Sequence, residues 1–220
     1  RDIVSDILIA DSQNHGQGYL NYSIYFDSPQ LTFYNEHLQG LPTRSKPRLR
    51  TYRDIYKNPP LAIFLEFKYR DNNLISKERR QLSSAQAQSI LNGEILEGIT
   101  YNTGDPLLEK FAAISKRIKL RTTVGVLYHR MAFSCSIQRG LRVTFDTRIQ
   151  FTSHQDLTPP EKAFKNTELL NQAIIELKYS EKVPKQILSA ADKLGFRQSN
   201  YSKYANAVKQ IHGKLKTPIP

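Results

Sequence analysis

Seven segments of the chain alternate apolar and polar residues with a period of two, which is typical of strands with one buried face. In the clearest of them, LAIFLEFKYR, every odd-numbered side chain is apolar or aromatic. The predicted strands cover residues 20–27, 47–53, 61–70, 74–82, 123–133, 141–151 and 173–179.

Four other segments have helical periodicity, at residues 84–97, 105–118, 184–194 and 202–215. Asp105-Pro106 and Pro184 are favourable helix starts, and Ser202 is a plausible N-cap. The order is strands, two helices, strands, two helices. This order predicts an α+β fold with a mostly antiparallel sheet, and not a series of βαβ units. We expect one domain over residues 1–220.

The composition indicates a folded protein with an anionic partner. Of the 220 residues, 39% are hydrophobic, the net charge is +12 and the isoelectric point is about 9.7. Nucleic acid, a membrane surface and polyphosphate are the partner classes that such a charge favours. The single cysteine, Cys135, excludes a disulfide framework and a thiolate metal site, and fits a reducing cytoplasm.

The charged residues of the predicted strands share one face, because residues i, i+2 and i+4 of a strand point the same way. On a single strand, an ordinary solvated face explains such a pattern. Here, however, Arg and Lys dominate, and like charges on neighbouring strands destabilise a sheet unless an anion lies between them. The polar, mostly charged faces carry Arg48 and Arg50; Glu66, Lys68 and Arg70; Arg142, Thr144, Asp146, Arg148 and Gln150; and Glu176 and Lys178.

A closed antiparallel β-barrel would accommodate this pattern. Its apolar strand faces would point outward under the helices, and its charged faces would line a tunnel. Guanidinium groups match phosphate oxygens in geometry, so the tunnel is predicted to hold phosphate chains. Arg70 is a predicted substrate-binding residue. The carboxylates of Glu66 and Glu176 are predicted ligands of Mn²⁺ or Mg²⁺, and Asp146 is a further candidate.

Eight short motifs follow one another in the order found in a known family. They are SIYFD (23–27), RSKPRLRTY (44–52), FLEFK (64–68), KERR (77–80), YHRMAF (128–133), LRVTFD (141–146), IELKY (175–179) and SKY (202–204). With these motifs the chain resembles the VTC domain, the catalytic domain of the vacuolar transporter chaperone. That domain belongs to the triphosphate tunnel metalloenzyme, or CYTH-like, superfamily.

The resemblance implies a polyphosphate polymerase that transfers the γ-phosphate of ATP to a growing polyphosphate chain with a divalent metal. By motif, six basic residues would bind the phosphates of nucleotide and product: Arg48, Arg50, Lys68, Lys77, Arg130 and Arg142. Glu176 would hold the metal. Lys178, Ser202 and Lys203 would contact polyphosphate near one tunnel mouth. ATP, inorganic polyphosphate and a membrane partner subunit are the expected partners, and the expected location is cytoplasmic.

The family also begins with a strand of charged residues that does not precede residues 1–4, so we expect a truncated sequence. In the superfamily's triphosphatases that strand carries a Glu-x-Glu-x-Lys motif. A metal-dependent hydrolase of tripolyphosphate or nucleoside triphosphates therefore stays open. A non-enzymatic polyphosphate or nucleic-acid binder is a third hypothesis. Nucleic acid is the least favoured partner, because most tyrosines lie within strand patterns and not in exposed stacking positions.

Overall fold

One antiparallel sheet with flanking helices makes up the fold in the computed structural model, which describes residues 7–14, 17–53, 62–72, 74–94, 104–159, 161–166 and 172–213. The strands are β1 (Leu8–Ala10), β2 (Tyr19–Asp27), β3 (Thr43–Arg53), β4 (Ala62–Asp71), β5 (Leu74–Leu82), β6 (Arg121–Cys135), β7 (Arg142–Thr152), β8 (Lys165–Asn166) and β9 (Ile174–Lys178). The helices are α1 (Thr32–Leu38), α2 (Ser84–Asn92), α3 (Pro106–Ile118), α4 (Lys185–Lys193) and α5 (Lys203–His212).

The predicted α+β class and antiparallel sheet are confirmed. All seven predicted strands and all four predicted helices have a counterpart, whereas α1, β1 and β8 were not predicted. The predicted helix ends at 95–97 and 214–215, the strand start at Leu61 and the segment 1–4 lie outside the described residues. None of the described helices combines the length and apolar character needed to cross a bilayer.

The strands lie side by side in the order β5-β4-β3-β2-β6-β7, and every neighbouring pair is antiparallel. β1 pairs with the end of β6 that β2 leaves free, and β8 and β9 share the far edge of β7. The two ends of the predicted charged pattern, β4 and β9, are therefore five strand spacings apart within the sheet.

The sheet curls, and the charged face is its concave side. Five spacings would separate β4 from β9 by about 24 Å in a flat sheet. Nevertheless, while burial lowers the pKa of Lys68 on β4, the negative charge of Glu176 on β9 opposes this shift. The strand register places Lys68 and Glu176 on the same face of the sheet. Curvature of the sheet is therefore what brings these two side chains close enough to interact electrostatically.

The apolar strand faces point outward and are covered by helices, as predicted. Ile24, Leu49, Leu65 and Phe67 pack in one cluster with residues of α2 and α3. Val143 and Leu141 pack in a second cluster with Ile187 of α4. Ser83 caps α2 through a capping box with Gln86, and Asp105 accepts the first backbone N–H groups of α3.

Part of the concave face is apolar, which the sequence interpretation did not anticipate. Val124 and Val126 of β6 pack there with Ile149 and Phe151 of β7 and with Val208 of α5. α1 and α5 thus fill one end of the concave side, and the charged side chains occupy the other.

A bulge in the β6–β7 pair explains this arrangement and corrects one prediction. Uninterrupted alternation over residues 141–151 would place Val143 and Ile149 on the same face. Instead, the register shifts between Leu127 and His129, and Arg148 has a φ of 51°. Val143 packs with α4 outside, and Ile149 packs with α5 inside. Consequently Arg148 and Asp146 do not belong to one continuous row of charged side chains on the same face, although the sequence had predicted such a row.

Asp27, at the end of β2, fixes both α1 and α5. Its Oδ1 accepts the backbone N–H groups of Ser28 and Phe33, at 2.7 and 2.9 Å, and its Oδ2 accepts that of Tyr34 at 3.0 Å. The hydroxyl of Tyr204 in α5 donates to the same Oδ2. This fully buried carboxylate therefore determines where the first residues of α5 meet the concave face.

Candidate active site

A first charged cluster lies on β3, β4 and β5 around the buried carboxylate of Glu66. Arg48 stands directly opposite Glu66 and donates from Nε and Nη2 to Oε2, at 2.9 and 2.7 Å. Nζ of Lys77 lies 2.5 Å from Oε1, and Nε of Arg50 lies 3.7 Å from Oε2. One carboxylate thus positions three of the predicted basic residues.

Glu66 is ionised in this environment. Burial raises the pKa of Glu66, but the charges of Arg48, Arg50 and Lys77 outweigh burial and lower it to about 2. Both of its oxygens face cations. Its contacts therefore favour a role in holding the basic side chains over the predicted role as a metal ligand.

A second cluster lies on β6, β7 and α5 around Asp146, which is also fully buried. Arg130 donates from Nε to Oδ1 at 2.6 Å and from Nη2 to Oδ2 at 2.7 Å. Nζ of Lys203, the first residue of α5, lies 2.6 Å from Oδ2. Burial raises the pKa of Asp146, but Arg130 and Lys203 lower it below its usual value.

Tyrosines join the two clusters. The hydroxyl of Tyr25 accepts a hydrogen bond from Nη1 of Arg48 at 3.0 Å, and that of Tyr128 accepts one from Nη2 of Arg50 at 3.2 Å. The ring of Tyr128 lies 4.8 Å from Nζ of Lys203. The basic groups of both clusters therefore form one continuous surface.

Glu176 is the carboxylate best placed to bind a metal. Its side chain is 37% exposed, and its oxygens lie 3.5 Å from Nη2 of Arg130 and 3.7 Å from Nζ of Lys178. Directly opposite on β7 stands Thr144, whose buried hydroxyl has no hydrogen-bond partner in the part of the chain that the structure describes. Two neighbouring oxygen donors suit a hard cation such as Mg²⁺ or Mn²⁺.

These two donors alone do not make a closed metal cage. Within the described residues no group of three or more His, Cys, Asp or Glu side chains is arranged to hold an ion. Glu176 and Thr144 therefore fit a cation that takes its other ligands from phosphate oxygens and water, which is the usual way Mg²⁺ binds at phosphoryl-transfer sites.

The other predicted residues lie at the margins. Arg142 pairs with Asp11 at 2.8 Å, and the side chain of Lys178 is 63% exposed. Arg70 donates from Nε to the carbonyl of Asn72 in the turn after β4. Ser202 caps α5 by accepting the N–H of Ala205.

Lys46 is a site residue that the sequence interpretation missed. It lies opposite Lys68, and its Nζ donates to Oγ of Ser202 at 2.9 Å. Burial, together with Lys68, Arg44 and Arg48, lowers the pKa of Lys46 to about 8. The predicted strand began at Pro47 and therefore did not include Lys46. Lys46 lies two residues before Arg48, and this spacing predicts that both side chains point to the same face of the strand.

Within the described residues, six basic side chains form ion pairs with three carboxylates on the concave face. The basic residues are Arg48, Arg50, Lys77, Arg130, Lys178 and Lys203, and the carboxylates are Glu66, Asp146 and Glu176. Such an excess in a partly buried site concentrates positive potential and favours an anionic ligand.

The family model of the VTC domain matches residues 3–212. The chain belongs to the VTC-domain family. The match spans both charged clusters and α5, so the concave face described above is a feature of a VTC domain. No curated protein sequence matches the chain at a significant level.

Two solved structures resemble this VTC domain. A protein from Pyrococcus horikoshii OT3 is 12% identical, with a TM-score of 0.48, over 94% of this chain and 88% of its own. A candidate adenylate cyclase from Bacillus halodurans is 11% identical, with a TM-score of 0.51, over 87% of this chain and 84% of its own. The second likeness supports the fold, a curled antiparallel sheet with flanking helices.

Proposed function

We propose that this VTC domain is a polyphosphate polymerase that transfers the γ-phosphate of ATP to the end of a polyphosphate chain. The observation that carries the proposal is the ion pairing of six basic side chains with three carboxylates on one concave face, counted over the described residues. Polyphosphate and the triphosphate of ATP are the densely charged, flexible anions that such a surface suits.

The arginines are positioned before any substrate binds. Glu66 and Tyr25 hold the guanidinium of Arg48, and Asp146 holds that of Arg130. A guanidinium has five N–H donors, so each arginine retains donors for phosphate oxygens. Fixed donors stabilise the charge of a phosphoryl-transfer transition state without reorganising during the reaction.

The proposed reaction needs positioning and charge neutralisation. An oxygen of the terminal phosphate of the chain attacks the γ-phosphorus of ATP in line, and a new P–O bond forms as the bond to the bridging oxygen breaks. ADP leaves. The attacking phosphate is already ionised at neutral pH, so no side chain has to remove a proton. Mn²⁺ or Mg²⁺ at Glu176 would supply further neutralisation of the phosphate oxygens.

We further propose that the curled sheet closes into a tunnel around the phosphate chain. The charge of Glu176 on β9 acts on Lys68 of β4, which supports an approach of the two sides of the sheet. In a tunnel, a linear product could move along the basic surface as it grows. The predicted membrane partner subunit and cytoplasmic location are further proposals.

The direct test is to incubate the purified protein with ATP and Mn²⁺ and to separate the products on a gel. Long polyphosphate that is absent for Arg130→Gln but present for Arg197→Gln, which removes an exposed arginine outside the site, would support the polymerase. Free phosphate without polymer would favour the hydrolase of the same fold. Absence of both products would overturn the proposed enzyme.

A further inference from the structure

Two like-charge pairs follow each other on the concave face of β3 and β4, beyond the Arg48–Glu66 pair. Arg44 lies directly opposite Arg70, and Lys46 lies directly opposite Lys68. Within the described part of the chain, none of these four side chains forms an ion pair. Like charges directly opposite each other destabilise a sheet, so this arrangement costs free energy in the unliganded protein.

Neighbouring helices offset this charge only in part. Burial raises the pKa of Glu36 on α1 and the nearby charge of Arg44 opposes this, but within the described residues Glu36 forms no ion pair with the four basic side chains. His37, in the last turn of α1, has its pKa lowered to about 4 by burial and by the nearby Lys46, Arg44 and Arg70, so it is neutral at neutral pH. Ser202, at the N-terminus of α5, accepts a hydrogen bond from Lys46. The positive end of the α5 dipole therefore also faces this region.

We infer that Arg44, Lys46 and Arg70 form a track that binds successive phosphate groups of a linear polyphosphate beyond the reaction centre. Of these residues, only Arg70 had been predicted to bind substrate. From Arg48 to Arg44 the strand rises by about 14 Å. A short phosphate chain held at the Arg48 cluster does not extend along this whole distance, whereas a long chain does.

The track gives the site a preference for long chains. Each additional phosphate that reaches Arg44 or Lys46 replaces cation–cation repulsion with a charge-assisted hydrogen bond. This inference rests on the proposed polyphosphate-binding function, and it adds a specificity that the reaction centre alone does not supply. It gives Lys46 a role in binding phosphate. The hydrogen bond from Lys46 to Ser202 positions the lysine side chain for that role.

Calorimetric titration at one fixed ionic strength tests the track, with long-chain polyphosphate and tripolyphosphate as the two probes. The variant is the double substitution Arg44→Gln, Lys46→Gln. Its control is Lys193→Gln, Lys209→Gln, which removes the same charge from exposed positions of α4 and α5. For the track variant we expect the affinity for the long chain to fall about 10- to 100-fold. We expect the loss for tripolyphosphate to be at least tenfold smaller than that for the long chain.

Equal losses of affinity for long-chain polyphosphate and tripolyphosphate would contradict the proposed track. A loss of affinity no larger than that of the control variant would contradict it as well. If the unmodified protein binds tripolyphosphate and the long chain equally well, the track fails while the proposed function stands. If it binds neither, the proposed function fails as well. Thermal unfolding checks the fold. The track variant should be at least as stable as the unmodified protein without ligand, because like-charge repulsion is removed.

Discussion

Arg130 and Asp146 form a two-point ion pair across β6 and β7, with Nε and Nη2 at 2.6 and 2.7 Å from the two carboxylate oxygens. They are directly opposite each other in the register. Lys203 reaches the same carboxylate from α5. A single buried charge thereby aligns an arginine predicted to bind phosphate and attaches the final helix to the concave face.

Replacing Asp146 with Asn should therefore affect both stability and ligand dependence. The change leaves Arg130 and Lys203 without their buried counter-charge, which typically costs about 3 to 5 kcal/mol when one partner of a buried ion pair is removed. Polyphosphate should recover part of this loss, because its oxygens supply the missing negative charge. Urea unfolding with and without polyphosphate measures both effects.

Asp192→Asn is the matched control, since Asp192 is exposed on α4. It should change the free energy of unfolding by less than about 0.5 kcal/mol. If the free energy of unfolding of Asp146→Asn equals that of this control, the Arg130–Asp146 ion pair contributes little to stability. Equal stabilisation of the variant and the unmodified protein by polyphosphate would contradict an overlap between the ion pair and the phosphate site.

Much of the charged face was predictable because strand side chains alternate strictly. Arg48 and Arg50 on one strand, and Glu66 and Lys68 on the next, were assigned to the same side from spacing alone, and the register confirms this. The sequence could not indicate which carboxylate would pair with which base. That depends on strand neighbours far apart in the chain, such as Lys203 beside Asp146.

The features that were missed depend on local irregularity or on tertiary contacts. The bulge at Arg148 reverses the facing of Ile149, and a periodicity of two cannot indicate an inserted residue. α1 is only seven residues long and begins after Leu31, which has a left-handed φ of 57° and no side-chain capping bond. Its position is instead fixed by Asp27, through backbone N–H groups six and seven residues further on.

Glu66→Gln should change the acid sensitivity of the protein. The pKa of Glu66 is lowered in the folded state to about 2 from its usual 4.5. The unfolded chain therefore binds a proton before the folded chain does, and stability falls as the pH decreases from 4.5 to 2. This loss is on the order of 3 kcal/mol, and the Gln variant lacks it.

The measurement is urea unfolding at several pH values between 7 and 3. The stability difference between the unmodified protein and Glu66→Gln should shrink as the pH falls below 4.5. A difference that stays constant down to pH 3 would contradict the role of Glu66 as an ionised anchor. Glu78→Gln is the control, because Glu78 forms an exposed ion pair with Lys110, and such pairs contribute about 0 to 1 kcal/mol.

Polyphosphate binding should weaken as the pH rises through about 8, where Lys46 loses its proton. Burial and the neighbouring Lys68, Arg44 and Arg48 keep the pKa of Lys46 low in the free protein, and a bound polyanion would raise it. Binding therefore takes up a proton above pH 8, and affinity decreases by up to about tenfold per pH unit until the pKa of the bound state is reached.

Lys46→Arg separates this effect from a general loss of charge, because arginine stays protonated throughout the range. The slope of log affinity against pH, measured by calorimetry from pH 7 to 9.5, should be shallower for the Arg variant. Some slope should remain, because burial also lowers the pKa of Lys68. An identical slope in both proteins would exclude Lys46 as the titrating group.

Glu176→Gln should separate catalysis from binding. The amide preserves the size of the side chain but removes the charge that would hold Mn²⁺ or Mg²⁺ beside Thr144. A metal ion contributes several kcal/mol to transition-state stabilisation, so turnover should fall about 100-fold or more. Polyphosphate affinity should persist or increase, because the carboxylate no longer neutralises Arg130 and Lys178.

Polymer formation from ATP measures turnover, and calorimetric titration measures polyphosphate affinity. The control is Glu181→Gln, at an exposed position after β9. Unchanged turnover would remove Glu176 from metal binding, whereas parallel loss of turnover and affinity would indicate that the variant disturbs the concave face itself.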